Sequence, residues 1–152
     1  MNTNRLLLVL GLIGLILFSG IGCGKNKAIE NPVKFKQYMV QGMRLYRQHC
    51  ANCHQTDGTG LAKLVPPLKD ADYLNILKSD EFACQIKYGL EGEIEVNGIL
   101  FNQPMPAISH LTSIEIAEIV TYVNNTWGRG REDGIYEVKI AEKALNNCFE
   151  ER

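Results

Sequence analysis

Cys50, Cys53 and His54 stand together in the stretch "CANCH", two thiols separated by two residues with an imidazole directly after the second. Three chemistries use such a pair of thiols. A structural zinc site takes four ligands, commonly as two short-spaced pairs; Cys84 and Cys148 lie far from each other and supply no second pair. A disulfide-exchanging dithiol opens a helix in a chain of alternating strands and helices, whereas here a helical pattern ends at Cys50 and strand patterns are scarce. The third chemistry uses every residue of the motif: both thiols form thioethers to the vinyl groups of a haem, and the neighbouring histidine is held against the iron as an axial ligand.

The elements that must position this motif are helical. Before it, "FKQYMVQGMRLYRQHC" repeats Phe35, Met39, Gly42, Leu45 and Tyr46 at helical spacing, which predicts a helix ending near Cys50. After it, "QTDGTG" and the double proline Pro66-Pro67 make a loop. Ser79 is placed to cap a short helix, "DEFACQIKY", that stops at Gly89. Asn97-Gly98 between "IEV" and "ILF" is a two-residue hairpin signal. Prolines on both sides of Met105 bar a helix there. Thr112 and Glu115 form a capping box that opens "SIEIAEIVTYVNNTW", with Ile116, Ile119, Val120, Val123 and Trp127 on one face. Beyond the charged turn "RGREDG" a last short helix, "YEVKIAEKALNNC", is expected.

A chain of 152 residues, 45% of them apolar, has the size of one domain. Its 16 Lys and Arg are balanced by 17 Asp and Glu with no basic block, so nucleic acid is excluded as a partner class. The start of the chain differs from the rest: Arg5 precedes the uncharged run "LLLVLGLIGLILF" and then the small residues of "SGIGC". That is the layout of an export signal, over residues 1–22, with a buried core helix or an uncleaved anchor as the alternatives. Ile21-Gly22-Cys23 resembles the end of a bacterial lipobox, although Gly20 stands where Leu is usual. Cys23 is therefore the expected lipidation site, and a two-chain lipid suffices for stable anchoring. Residues 23–34 would follow as a tether. In an exported protein disulfides persist, so Cys84 and Cys148 are either two small buried side chains or, favoured by compartment and even count, a disulfide joining the C-terminal stretch to the short helix before the hairpin.

From about Gln37 to Trp127 the chain resembles a class I cytochrome c. The motifs stand in the family's order: "GMRLY" before "CANCH", a Gly-rich turn, "PPL", a loop with "MP", and a final helix with an aromatic. The whole chain is also similar to small bacterial cytochrome c lipoproteins and to cytochrome subunits of respiratory enzymes. The resemblance implies an all-α cytochrome c-like fold over residues 35–130 around one covalent haem c, with a small β-hairpin before the methionine loop. Residues 131–152 would be a helical extension packed on the domain.

The same resemblance assigns roles. Gly42 and Tyr46 would cross Ile119 and Tyr122, Pro66 or Pro67 would give a carbonyl to the ring N–H of His54, and Met105, about 50 residues after His54, would be the sixth iron ligand. His110 is the competitor for that place, His49 lies on the wrong side of the motif, and Met39 and Met43 read as helix packing. A His54/Met105 pair closes the iron to substrates, which implies an electron carrier rather than an enzyme, working with respiratory redox proteins at the outer face of a bacterial membrane. An electron-entry subunit of a dehydrogenase or reductase complex shares this chemistry and differs in partner. A haem peroxidase or haem sensor would need an open iron position.

Overall fold

The structure is a computed structural model that describes residues 31–128 and 134–148. The signal segment 1–22, Cys23 and the tether up to residue 30 lie outside the described residues. Helix α1 runs Pro32–His49 and α2 is the single turn Ala51–His54. They are followed by α3 (Asp72–Ile76), α4 (Ser79–Tyr88), strands β1 (Ile94–Val96) and β2 (Ile99–Phe101), α5 (Ser113–Trp127) and α6 (Val138–Asn147). The fold is all-α with one two-stranded antiparallel hairpin.

Helix α1 starts three residues earlier than the expected domain boundary at residue 35. The cause is local: the Asn31 side chain accepts the Lys34 N–H at 3.0 Å, and Pro32 occupies the first helical position, where its missing N–H costs nothing. Pairing of Lys34 with Glu137 fastens this first turn to the segment leading into α6. Ser79 does not cap α4. Lys78 takes the cap position, its N–H bonded to the Glu81 carboxylate at 3.4 Å, while the Ser79 hydroxyl accepts from Asn124 on α5.

Helices α1 and α5 make the most intimate contact of the fold. Gly42 permits it: a Cβ there would stand 2.6 Å from Cβ of Tyr122 and against the Glu118 carbonyl. Tyr122 thus meets Gly42 as expected, with the Glu118 carbonyl beside it, while Ile119 lies on the cavity side of α5. The Thr112/Glu115 capping box opens α5 as its sequence requires. Ile116, Ile119, Val120 and Val123 are fully buried, each worth roughly 1.5–3 kcal/mol of apolar transfer. Tyr46 packs on both Tyr122 and Trp127, with ring centroids 5.6 and 5.1 Å apart.

The hairpin turns on Asn97 and Gly98, both at positive φ, and pairs Ile94 with Phe101 and Val96 with Ile99. Val96 and Phe101 face inward. Helix α3 carries no capping signal in its own sequence. Its start is held by the hairpin turn, since Asn97 Oδ1 accepts the Asp72 N–H and Asp72 Oδ1 accepts the Asn97 N–H, at 3.0 and 2.7 Å. Helix α6 lies against α4 and α5, joined to α4 by the Cys84–Cys148 disulfide.

Candidate functional site

Cys50, Cys53, His54, Pro66, Pro67 and Met105 all line one cavity of about 290 Å³. The motif reaches it because α1 ends at His49 and Cys50, the junction residue that caps α2, is followed within that one turn by Cys53 and His54. That turn is ended sharply by Gln55 at φ 63°, and the Tyr46 hydroxyl donates to the Gln55 carbonyl at 2.6 Å. The aromatic that closes the α1–α5 crossing therefore also fastens the end of the motif. The following loop folds back with Gly58 and Gly60 at positive φ, Gly58 lying flat on the Trp127 ring.

His54 Nδ1 lies 3.1 Å from the Pro66 carbonyl. A carbonyl oxygen only accepts, so Nδ1 carries the hydrogen and Nε2 keeps its lone pair for a metal. Burial lowers the imidazole's pKa and so favours the neutral ring that a ligand needs, with the Pro66 bond opposing the shift in part. Cys50 is buried and Cys53 exposed. Burial, with Cys53 adding to it, pushes the Cys50 thiol up to about 12. A wall that rejects a thiolate suits the neutral sulfur of a thioether.

Met105 is placed by backbone. Its N–H and carbonyl make a two-bond bridge with Leu90, at 2.9 and 3.0 Å, just beyond the end of α4. Gly89, at φ 81°, lets the two strands of chain meet: a Cβ there would be 2.6 Å from the Met105 carbonyl oxygen. Met39, Met43, His49 and His110 do not line the cavity; the two histidine rings pack on one another at 5.2 Å between centroids.

The remaining walls are almost wholly apolar, among them Phe82 and Ile86 of α4, Ile119 and Val123 of α5, and Val96 and Phe101 of the hairpin. Two polar lining residues, Tyr73 and Gln85, are bonded to each other at 2.9 Å. Tyr73 carried no signal in the sequence, because α3 is ordered by a turn 25 residues away. Paired sulfurs, a half-buried imidazole with a free Nε2 and a thioether on an apolar cavity fit a covalently attached porphyrin and its iron.

A sequence profile of the family described as "Cytochrome c" matches residues 39–127. Cytochrome c-552 of Thermus thermophilus is 34% identical over 96 residues, 61% of this chain and 72% of that protein. The cytochrome c subunit of a quinone alcohol dehydrogenase from Gluconobacter oxydans is 29% identical over 89 residues, 57% of this chain but only 18% of that protein. The crystal structure of the c-type cytochrome XoxG from Methylobacterium extorquens AM1 aligns at 25% identity over 74% of this chain and 67% of that one, with a TM-score of 0.45. The chain belongs to the cytochrome c family, in its class I form. Its cofactor is covalently bound haem c and its function is electron transfer.

Proposed function

We propose that this chain is a mono-haem carrier in which Cys50 and Cys53 hold the haem and His54 and Met105 are the two axial ligands. The observation that carries this reading is the convergence of an imidazole with a free Nε2 and a backbone-clamped thioether on one apolar cavity. Haem c, when bound, supplies a one-electron iron couple. Pro66 orients His54 and holds its ring proton. Met105 would be the second residue to hold the iron, its soft sulfur favouring the reduced metal and excluding exogenous ligands. The walls exclude water, and the exposed Cys53 and Leu64 mark the rim nearest to a partner.

The chain does no chemistry on a substrate in this reading. It passes single electrons between respiratory proteins outside the cytoplasm, held at a membrane through Cys23. No helix among the described residues is long and apolar enough to cross a membrane, so a tether of this kind rests on the residues before 31. The likeness to a dehydrogenase cytochrome subunit supports a second reading, in which the electron donor is a dehydrogenase bound in a complex. Purification from the native membrane distinguishes the two by what remains attached.

The ligand assignment is tested by Met105→Ala. The variant should keep its covalent haem, bind carbon monoxide in the reduced state, lose the optical band of methionine-ligated ferric haem, and show a lower potential. Met39→Ala, Met43→Ala and His110→Ala should change none of these. An unchanged spectrum in Met105→Ala would reopen the enzyme and sensor readings.

A further inference from the structure

The hydrogen bonds of the Met105 loop all run to one side. Among the described residues, every hydrogen bond that leaves residues 104–111 ends on residues 86–90. Met105 bridges Leu90 through both backbone groups, and the Ile108 N–H donates to the Ile86 carbonyl at 3.0 Å. The Lys87 ammonium donates to the Ser109 and Leu111 carbonyls, both at 2.7 Å. Pro104 and Pro106 have no N–H to give. The sulfur of Met105 is therefore only as well placed as the C-terminal end of α4.

That end of α4 is in turn bolted to the C-terminal extension on its outer side. Phe82, Gln85 and Ile86 face the cavity, while Cys84, one turn before Tyr88, is bonded to Cys148. The Tyr88 hydroxyl donates to the Leu145 carbonyl at 3.3 Å, and at the start of α4 the Tyr136 hydroxyl donates to Asp80 at 2.6 Å. Tyr136, Ala141 and Leu145 are buried in the same core as Phe82 and Ile86. The family profile ends at residue 127, before all of these contacts.

We infer that the extension around α6, through the Cys84–Cys148 bridge, is a positioning element for the sixth ligand: it holds the end of α4 in the register that presents Met105 to the cavity. The inference rests on Met105 being that ligand. Cutting the bridge removes the covalent tie on that face of α4, leaving the Tyr88 and Tyr136 bonds and the shared packing, while His54, carried by α2 and Pro66, keeps its own supports. Methionine ligation should then loosen before the domain does.

The test uses the full-length haem-loaded protein and its Cys84→Ala/Cys148→Ala variant, titrated with urea. Two signals are followed together: the ferric methionine–haem band, and helix content by far-ultraviolet circular dichroism. A merely stabilising bridge shifts both midpoints equally. Positioning shifts the methionine midpoint further than the helix midpoint and raises carbon monoxide binding by the reduced protein before any urea is added, with covalent haem content unchanged. Equal shifts, or no shift, overturn the inference. If the double variant does not accumulate, Tyr136→Phe, which removes only the bond to Asp80, must widen the gap between midpoints in the same direction, and an unchanged gap overturns it too. A wild-type protein without a methionine band, or one whose band survives in Met105→Ala, instead defeats the ligand assignment.

Discussion

Residues 50–68 and residues 86–111 form two sides of one cavity, carrying the proposed ligands His54 and Met105, and they are held there in opposite ways. The first side is short-range. Cys50, Cys53 and His54 share one helical turn, and His54 finds its carbonyl partner only twelve residues on, at Pro66. The second side is assembled from pieces far apart: Met105 hangs on Leu90, and the helix ending there is bonded to Cys148, 64 residues from Cys84. A ligand fixed by its own neighbours in sequence survives loosening of the domain better than one fixed through tertiary contacts, because each local contact costs little loop-closure entropy.

The largest way to break this contrast is to remove the first side's anchor. Cys50→Ala/Cys53→Ala should abolish haem that survives denaturing electrophoresis, and with the cavity's walls left to collapse, the steady-state level of the protein should fall severalfold. Next comes the second side's anchor. In the chain-entropy picture a bridge closing a loop of this length is worth about 4 kcal/mol, so Cys84→Ala/Cys148→Ala should lower the unfolding free energy by up to that amount in urea titration, with haem still attached.

Two glycines sharpen the contrast at smaller cost. Gly60 (φ 72°) lies against Pro66, and a Cβ there would be 2.7 Å from the Pro66 carbonyl carbon; Gly89 (φ 81°) lies against Met105. Gly60→Ala and Gly89→Ala should each cost about 1–3 kcal/mol through strain and overlap. Their spectra should differ: only Gly89→Ala should weaken the methionine–haem band, and only Gly60→Ala should disturb the His54 ring N–H, read by its exchange-protected proton resonance. The smallest effect belongs to a site that serves neither side. Thr112→Ala should cost about 1 kcal/mol by uncapping α5 and leave both ligands in place. Bonds from the Thr112 hydroxyl and N–H hold the Glu115 carboxyl below its ordinary value of 4.5. A carboxylate so depressed stabilises the fold above that value and loses its contribution as pH falls through the folded pKa. The gap between wild type and Thr112→Ala should therefore narrow in acid.

Much of this protein was legible before any coordinates. The run Cys50-x-x-Cys53-His54 pointed to the family by adjacency, the Thr112 box and the apolar stripe of α5 announce a helix by period, and Asn97-Gly98 announces a turn by the backbone angles those residues tolerate. In each case the interacting groups lie within a few residues, so one stretch of sequence contains both partners. The cap of α4 was misjudged because Ser79 spends its hydroxyl on Asn124, a partner 45 residues away. Helix α3 was missed because Asn97 rather than its own sequence starts it. Only the tertiary structure decided that Pro66 rather than Pro67 bonds His54, that the Glu118 carbonyl joins Tyr122 against Gly42, and that the Met105 loop is bonded to the end of α4. Such contacts depend on how separate helices come to lie together, and the spacing of residues along one chain carries no record of that distance.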